Sequence, residues 1–219
     1  MRPLLLIGLV LGSGCSAILD FEECDATEPC ELGRTCVQGL CIPVLNEQCA
    51  TTIGPWEDRD AIRLGMIGPL TGLNSESGLY ATLAMDLALS EINDLGGVGG
   101  HQNRPLALLA CDDQGEPELG VQAAQHLVNH VRVPAIIGPS YSKVTIEVAE
   151  KVAIPEGVLL LTHSSTAAGI ADLEDEDLVW RLAPPDNFQG DTLAFFGMWQ
   201  LIERTHVGDD GIRGGDELD

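Results

Sequence analysis

The chain has 219 residues, 45% of them hydrophobic, enough for one globular domain and a small appendage. It carries 34 acidic against 11 basic residues, a net charge of −23. That excess excludes a nucleic-acid partner, which needs a basic face, and it repels anionic lipid headgroups, so any membrane attachment must be covalent or apolar.

The chain opens "MRPLLLIGLVLGSGC", one Arg followed by an apolar run from Leu4 to Leu11. The run is too short to span a bilayer and has the form of a secretory signal. It closes on Gly12-Ser13-Gly14-Cys15 and resembles a bacterial lipoprotein signal, although the usual Leu stands here four residues before the Cys. Residues 1–14 are therefore expected to be a signal peptide and Cys15 a lipidated residue. With Ser16 in the next position, the resemblance implies an extracytoplasmic protein held to the membrane by its lipid, the outer membrane being favoured.

Six cysteines remain: Cys24, Cys30, Cys36, Cys41, Cys49 and Cys111. Five crowd into "CDATEPCELGRTCVQGLCIPVLNEQC", which has too little apolar content to fold on its own. An exported segment of this size needs disulfides, and a zinc knuckle is disfavoured by the lack of a Cys-x-x-Cys pair or a His. Residues 15–49 thus read as a disulfide-rich module whose pairing the sequence does not choose. Cys111 pairs with Cys49 or remains a buried thiol. Residues 50–61, "ATTIGPWEDRDA", carry Gly, Pro and charge and read as a linker.

A regular alternation follows over 62–203. "AIRLGMI" is a predicted strand, and "LYATLAMDLALSEIN" a helix with Leu79, Leu83, Ala84, Leu87, Ala88 and Ile92 at helical spacing. "RPLALLAC" is a second strand, and a helix opens at Glu116-Pro117. "VPAIIG", "SKVTIEVAEKVAI", "GVLLL", "LVWRLAP" and "FQGDTLAFFGMWQLIER" continue as strand, helix, strand, strand and helix. Short connections between alternating elements predict an α/β fold, a doubly wound parallel sheet with helices on both faces. Ligands of such sheets bind outside the carboxyl ends of the strands, which here are Gly68–Gly78, Asp112–Gly115, Gly138–Ser142 and Thr162–Thr166. The last of these, in "VLLLTHSSTAA", sets four hydroxyls and an imidazole at the end of an apolar strand.

The landmarks "IRLGMIGPLTG", "EINDLGGVGG", "LLACDDQGEPELGVQAAQHLV", "IIGPSYSKVT" and "GVLLLTHSSTAAGI" resemble the leucine/isoleucine/valine-binding family of type I periplasmic binding proteins. The resemblance covers residues 62 to about 194. It implies a two-lobed fold that captures amino acids for an ABC importer, with a small-molecule ligand, an ABC permease as partner if the protein is full length, and no cofactor. Matched to the family's first lobe, Ser142 and Thr166 would supply side chains to the ligand, Ser164 mainly backbone, and Ser77 a loop contact. The family's first-loop aromatic is missing, with Ser77 at its place and Tyr80 two residues into the helix. The second lobe is also missing, so the resemblance implies a truncated chain. Residues 204–219, ending "GDDGIRGGDELD", are expected to form a disordered acidic tail.

Other readings compete. Gly138–Ser142 is a near miss to a nucleophile elbow, with Asp112 and His163 as imaginable partners, but the second glycine is absent, and hydroxyl-rich strand ends bind far more often than they react. The chain is not expected to be an enzyme. "GGVGG" follows a helix and reads as a helix-ending turn rather than a dinucleotide loop. His126 and His130 read as a solvated helix face rather than a metal pair, and Asp112-Asp113 as a cap for the next helix. A surface sensor or interaction lipoprotein using the same fold without transport is the alternative function, and the cysteine-rich module leans that way.

Overall fold

The computed structural model describes residues 24, 30–31, 33–99 and 103–207; the predicted signal peptide and Cys15 lie outside the described residues. Two strands, β1 (Arg34–Val37) and β2 (Leu40–Pro43), form an antiparallel hairpin. Its turn places Gln38 and Gly39 at positive φ. Two disulfides staple it, Cys24–Cys36 and Cys30–Cys41, with Cα separations of 5.8 and 5.5 Å.

The main sheet has six strands: β3 (Cys49–Ile53), β4 (Ile62–Gly68), β5 (Leu106–Asp112), β6 (Ala135–Ile137), β7 (Leu159–Thr162) and β8 (Val179–Arg181). Their spatial order is β3-β5-β4-β6-β7-β8. All neighbours are parallel except β3 and β5. This is the doubly wound order in which the first parallel strand, β4, lies between the second, β5, and the third, β6. The predicted α/β fold is therefore present, with one addition. The stretch read as a linker from residue 50 supplies most of β3, because Cys49 is paired directly opposite Cys111 and bonded to it. The edge strand is thus anchored covalently at its first residue, and the question left open for Cys111 is settled in favour of Cys49.

Helices cover both faces. α1 (Ser75–Asp94) packs on one side, where Met66, Ala81, Leu89, Leu106, Leu108 and Ala110 form a buried cluster. On the other, α2 (Pro117–His126), continued by a π-helical turn Leu127–Val131, and α3 (Ser142–Val148), continued by a π-helical turn Ala149–Ala153, enclose Ile67, Leu109, Leu127, Ile136, Val144, Val148 and Leu160. Val44 and Trp56 join this second cluster, so the segment before β4 packs on the lobe. Gly120 permits the α2–α3 contact, since a Cβ there would sit 2.3 Å from a methyl of Val144.

α1 departs from expectation in the face it buries. Leu79, Leu83 and Leu87 are more than half exposed, and Ala84 and Ala88 are exposed as well; of the predicted stripe, only Ile92 packs on the core. The helix is apolar nearly all round, so period alone leaves its orientation ambiguous. The side that packs carries Gly78 and Ala81, which allow close approach: a Cβ on Gly78 would lie 2.1 Å from the Pro69 carbonyl. α4 (Asp186–Val207) extends past the predicted boundary at residue 203, and its described side chains are all exposed, Phe188, Phe195 and Trp199 among them. Residues 208–219 of the predicted tail lie outside the described residues. Among the described residues no helix is long and apolar enough to cross a membrane.

Candidate functional site

The crevice lies where β4 and β6 diverge, at Gly68 and Gly138. Gly138 has φ +103°, and a Cβ there would lie 2.0 Å from the Ile67 carbonyl, so only glycine lets the β6 end turn beside β4. The next residue, Pro139, follows a cis peptide. Its carbonyl is the hub of the hydroxyl cluster: it accepts from Thr162 at 2.8 Å, from Thr145 at 3.3 Å and from Ser165 at 3.4 Å. Thr145 and Ser165 also share a hydrogen bond of 2.7 Å, and both are buried. Ser164 donates to the Ser140 carbonyl at 2.8 Å. Most of the hydroxyls at the end of β7 therefore pin the β6–α3 loop to the β7 loop, satisfying polar groups that burial would otherwise strand.

What remains unengaged is more selective. Ser142 begins α3, and its Oγ accepts the backbone N–H groups of Thr166 and Ala167, each at 3.1 Å. A hydroxyl that accepts twice still has its own proton to donate. The Thr166 hydroxyl has no partner among the described residues, and the N–H and C=O of Ser164 have no protein partner there either. Three of the four predicted ligand residues, Ser142, Ser164 and Thr166, are thus gathered by one pair of loops. Ser77 is not among them. It sits on the exposed first turn of α1 and donates to the Asn74 carbonyl at 2.8 Å. Tyr80, farther along α1, donates to Glu76 at 2.8 Å.

Asp112, at the end of β5, does work that the sequence did not reveal. Its Oδ1 accepts from the N–H of Leu70 at 2.8 Å, of Gln114 at 3.0 Å and of Thr71 at 3.2 Å, and its Oδ2 accepts the Thr71 hydroxyl. Burial raises the pKa of this carboxyl, but the Thr71 hydroxyl and the three amides outweigh it and hold Asp112 below the ordinary value. The expected role as cap of the next helix is not what the structure shows. The N-cap of α2 is Glu116, without a side-chain cap, and Asp112 instead ties the β4–α1 loop to β5. The Asp113 carboxylate accepts only the Gly115 N–H, at 2.8 Å, and its Oδ2 is buried with no partner among the described residues. Burial pushes its pKa up to about 6, with a further rise from Asp112.

His163 faces Ser140, Nε2 to Oγ at 3.4 Å, and its Nδ1 is buried without a partner. Desolvation lowers its pKa, so it is neutral at pH 7 and belongs to the support of the loops. The His126–His130 pair is not a solvated face. His126 is 9% exposed, its Nε2 lies 2.6 Å from the Val44 carbonyl, and the two Nδ1 atoms are 3.0 Å apart. The residues before β4 cover this part of α2, which no helical period could announce. In the hairpin, Cys24, Cys30 and Cys36 bring their sulfurs within 4.8 Å of one another, but all three are in disulfides, so none is a thiolate for a metal.

The family model described as periplasmic binding protein matches residues 61–196. The chain belongs to the type I periplasmic binding protein family. A Leu/Ile/Val-binding protein of Rhizobium johnstonii is 37% identical over 106 residues, 48% of this chain and 28% of its own length. The leucine-, isoleucine-, valine-, threonine- and alanine-binding protein of Pseudomonas aeruginosa is 32% identical over 137 residues, 63% of this chain and 35% of its own. Among solved structures, an ABC transporter substrate-binding protein of Desulfitobacterium hafniense in complex with Leu superposes with a TM-score of 0.57 at 31% identity, covering 64% of this chain and 39% of that one. The matched part of this periplasmic binding protein chain thus spans about a third of the length of these curated relatives.

Proposed function

We propose that the lobe forms one face of the amino-acid site of an extracytoplasmic solute-binding protein serving an ABC importer. The observation that carries this reading is the set of unengaged groups held by the β6–α3 and β7 loops. The Ser142 hydroxyl proton and the Ser164 N–H are donors for a ligand carboxylate, beside the first turn of α3. The Thr166 hydroxyl and the Ser164 carbonyl are acceptors for an ammonium. Names of relatives that specify Leu, Ile and Val support branched-chain amino acids, or close relatives of them, as the ligand class. The Ser77 hydroxyl, already engaged at Asn74, contributes at most from the rim. Attachment to the membrane through a lipid on Cys15, in the outer membrane, completes the reading.

The test is calorimetric titration of the chain with a panel of free amino acids beside a Ser142→Ala, Thr166→Ala double variant. Millimolar or tighter binding of branched-chain amino acids that the double variant loses supports the proposal; a folded chain that binds none of the panel contradicts it. A sensor or interaction role on the cell surface is the second reading, favoured by the doubly stapled hairpin ahead of the lobe.

A further inference from the structure

At the opposite edge of the sheet, where β3 ends and β4 begins, a cleft of about 230 Å³ opens between the hairpin and the lobe. Arg34 of β1, Trp56 and Arg59 of the β3–β4 connection, Arg63 of β4 and His130 of the π-helical turn line it. In a chain with 11 basic residues against 34 acidic ones, arginines would be expected to meet carboxylates. Among the described residues, Arg59 and Arg63 of this cleft do not. Arg63 lies over the Trp56 ring, 5.3 Å from its centroid, and donates to the carbonyls of Trp56 and Asp58, each at 3.3 Å. Carbonyls and an aromatic face orient a guanidinium without neutralising it. Arg59 makes no hydrogen bond or ion pair among the described residues, although acidic residues flank it in sequence. Its neighbour Asp58 turns its carboxylate to the N–H of Asp60, at 2.9 Å. Arg34 is oriented by the Cys41 carbonyl, which accepts from its Nε at 3.2 Å and its Nη2 at 2.5 Å. Among the described residues, one carboxylate, Glu31, also lines the cleft.

The histidine pair adds a constraint. The Nε2 of His126 must donate to the Val44 carbonyl, so in neutral His126 the Nδ1 is an acceptor. The Nδ1 of His130, 3.0 Å away, must then carry a proton, which leaves its Nε2 as the one unengaged ring nitrogen.

We propose that this cleft is a second binding site, for a small oxyanion of phosphate or carboxylate type, with Arg59 and Arg63 as its principal ligands. A guanidinium fork matches two oxygens of such a group, and the buried Trp56 makes one wall apolar, so the local dielectric is lower and the field of the charges stronger. The volume lies below the ~300 Å³ at which drug-sized pockets begin, which fits an ion the size of phosphate or a small polycarboxylate. The site is independent of the amino-acid reading, since it uses the other edge of the sheet.

The test is titration of the full chain at low ionic strength with inorganic phosphate and, separately, with citrate, beside Arg59→Gln and Lys151→Gln variants. Arg59 has no partner to lose among the described residues, so its variant should fold as the parent does; Lys151→Gln, at a lysine paired with Glu147, removes the same charge elsewhere. The expected result is saturable binding of one or both ions, weakened about tenfold by Arg59→Gln and less than twofold by Lys151→Gln. Binding of phosphate alone, or of citrate alone, identifies which oxyanion the cleft takes. No saturable binding of either, or equal weakening by both variants, overturns the proposal.

Discussion

The Oδ1 of Asp112 accepts the backbone N–H of Leu70 at 2.8 Å, tying the last residue of β5 to the loop that leaves β4. These two strands are paired through Gly68 and Asp112, so the carboxylate begins where the ladder stops. It continues the ladder's work with a side chain, and it fixes the loop that carries the chain into α1.

Replacing Asp112 by Ala should therefore cost about 2 kcal/mol, allowing for the partial exposure of its charge-assisted bonds. Hydrogen exchange at the Leu70 and Thr71 amides should quicken, while amides in β5 itself should be unaffected. The carboxyl is held below its ordinary value of 3.8, so it contributes stability above that pH, lost as the pH falls through its lower folded value. Urea unfolding of the parent and variant below pH 4 reads this difference.

Asp113 should act in the opposite sense. Its pKa is raised from 3.8 to about 6, so the folded chain binds the proton more tightly than the unfolded one. This contribution is present below pH 4 and is lost as the pH rises through 6. Asp113→Asn should flatten the stability profile between pH 4 and 6, because Asn keeps an acceptor for the Gly115 N–H and does not ionise in that range.

The Cys49–Cys111 bond spans 62 residues of sequence. In the chain-entropy account, a loop of that length contributes about 4 kcal/mol through the unfolded state. The Cys49→Ala, Cys111→Ala variant should unfold at a correspondingly lower urea concentration. With the bond gone, β3 should exchange its amides before β4 does, since it is the edge strand.

Gly138→Ala should destabilise by about 2–4 kcal/mol, as a Cβ would contact the Ile67 carbonyl at 2.0 Å and φ is +103°. Gly33→Ala, also at positive φ but with nothing within 4 Å, should cost only about 1 kcal/mol. Thermal melts of the two variants separate the effect of the clash from that of the backbone conformation alone.

Much of this architecture could be read from residue patterns. Continuous apolar runs such as "LALLAC" identified strands covered on both sides, and the strand ends located the crevice, because period and composition are local properties. Contacts that depend on distant partners were not legible. β3 looked like a linker because Thr51 and Thr52 are exposed, and only its pairing with β5 makes it a strand. The buried side of α1 is not legible in the sequence because the helix is apolar on several faces and close approach at Gly78 decides among them. The hydroxyls of "THSST" were recognised as a cluster, yet their division into structural and unengaged groups rests on the Pro139 carbonyl, which no sequence pattern displays.

Thr166→Val separates the engaged groups of the loops from the unengaged ones. The Thr166 hydroxyl has no protein partner among the described residues, whereas its backbone N–H remains on Ser142, so the substitution should leave stability within about 0.5 kcal/mol. The measurement is a leucine titration of the parent and this variant, followed by the backbone amide resonances. Leucine should shift the amides of Ser142, Ser164 and Thr166 in the parent, with affinity falling about tenfold in the equally stable variant. Leucine that leaves these amides unmoved, or that shifts them identically in both proteins, would contradict this division of the groups.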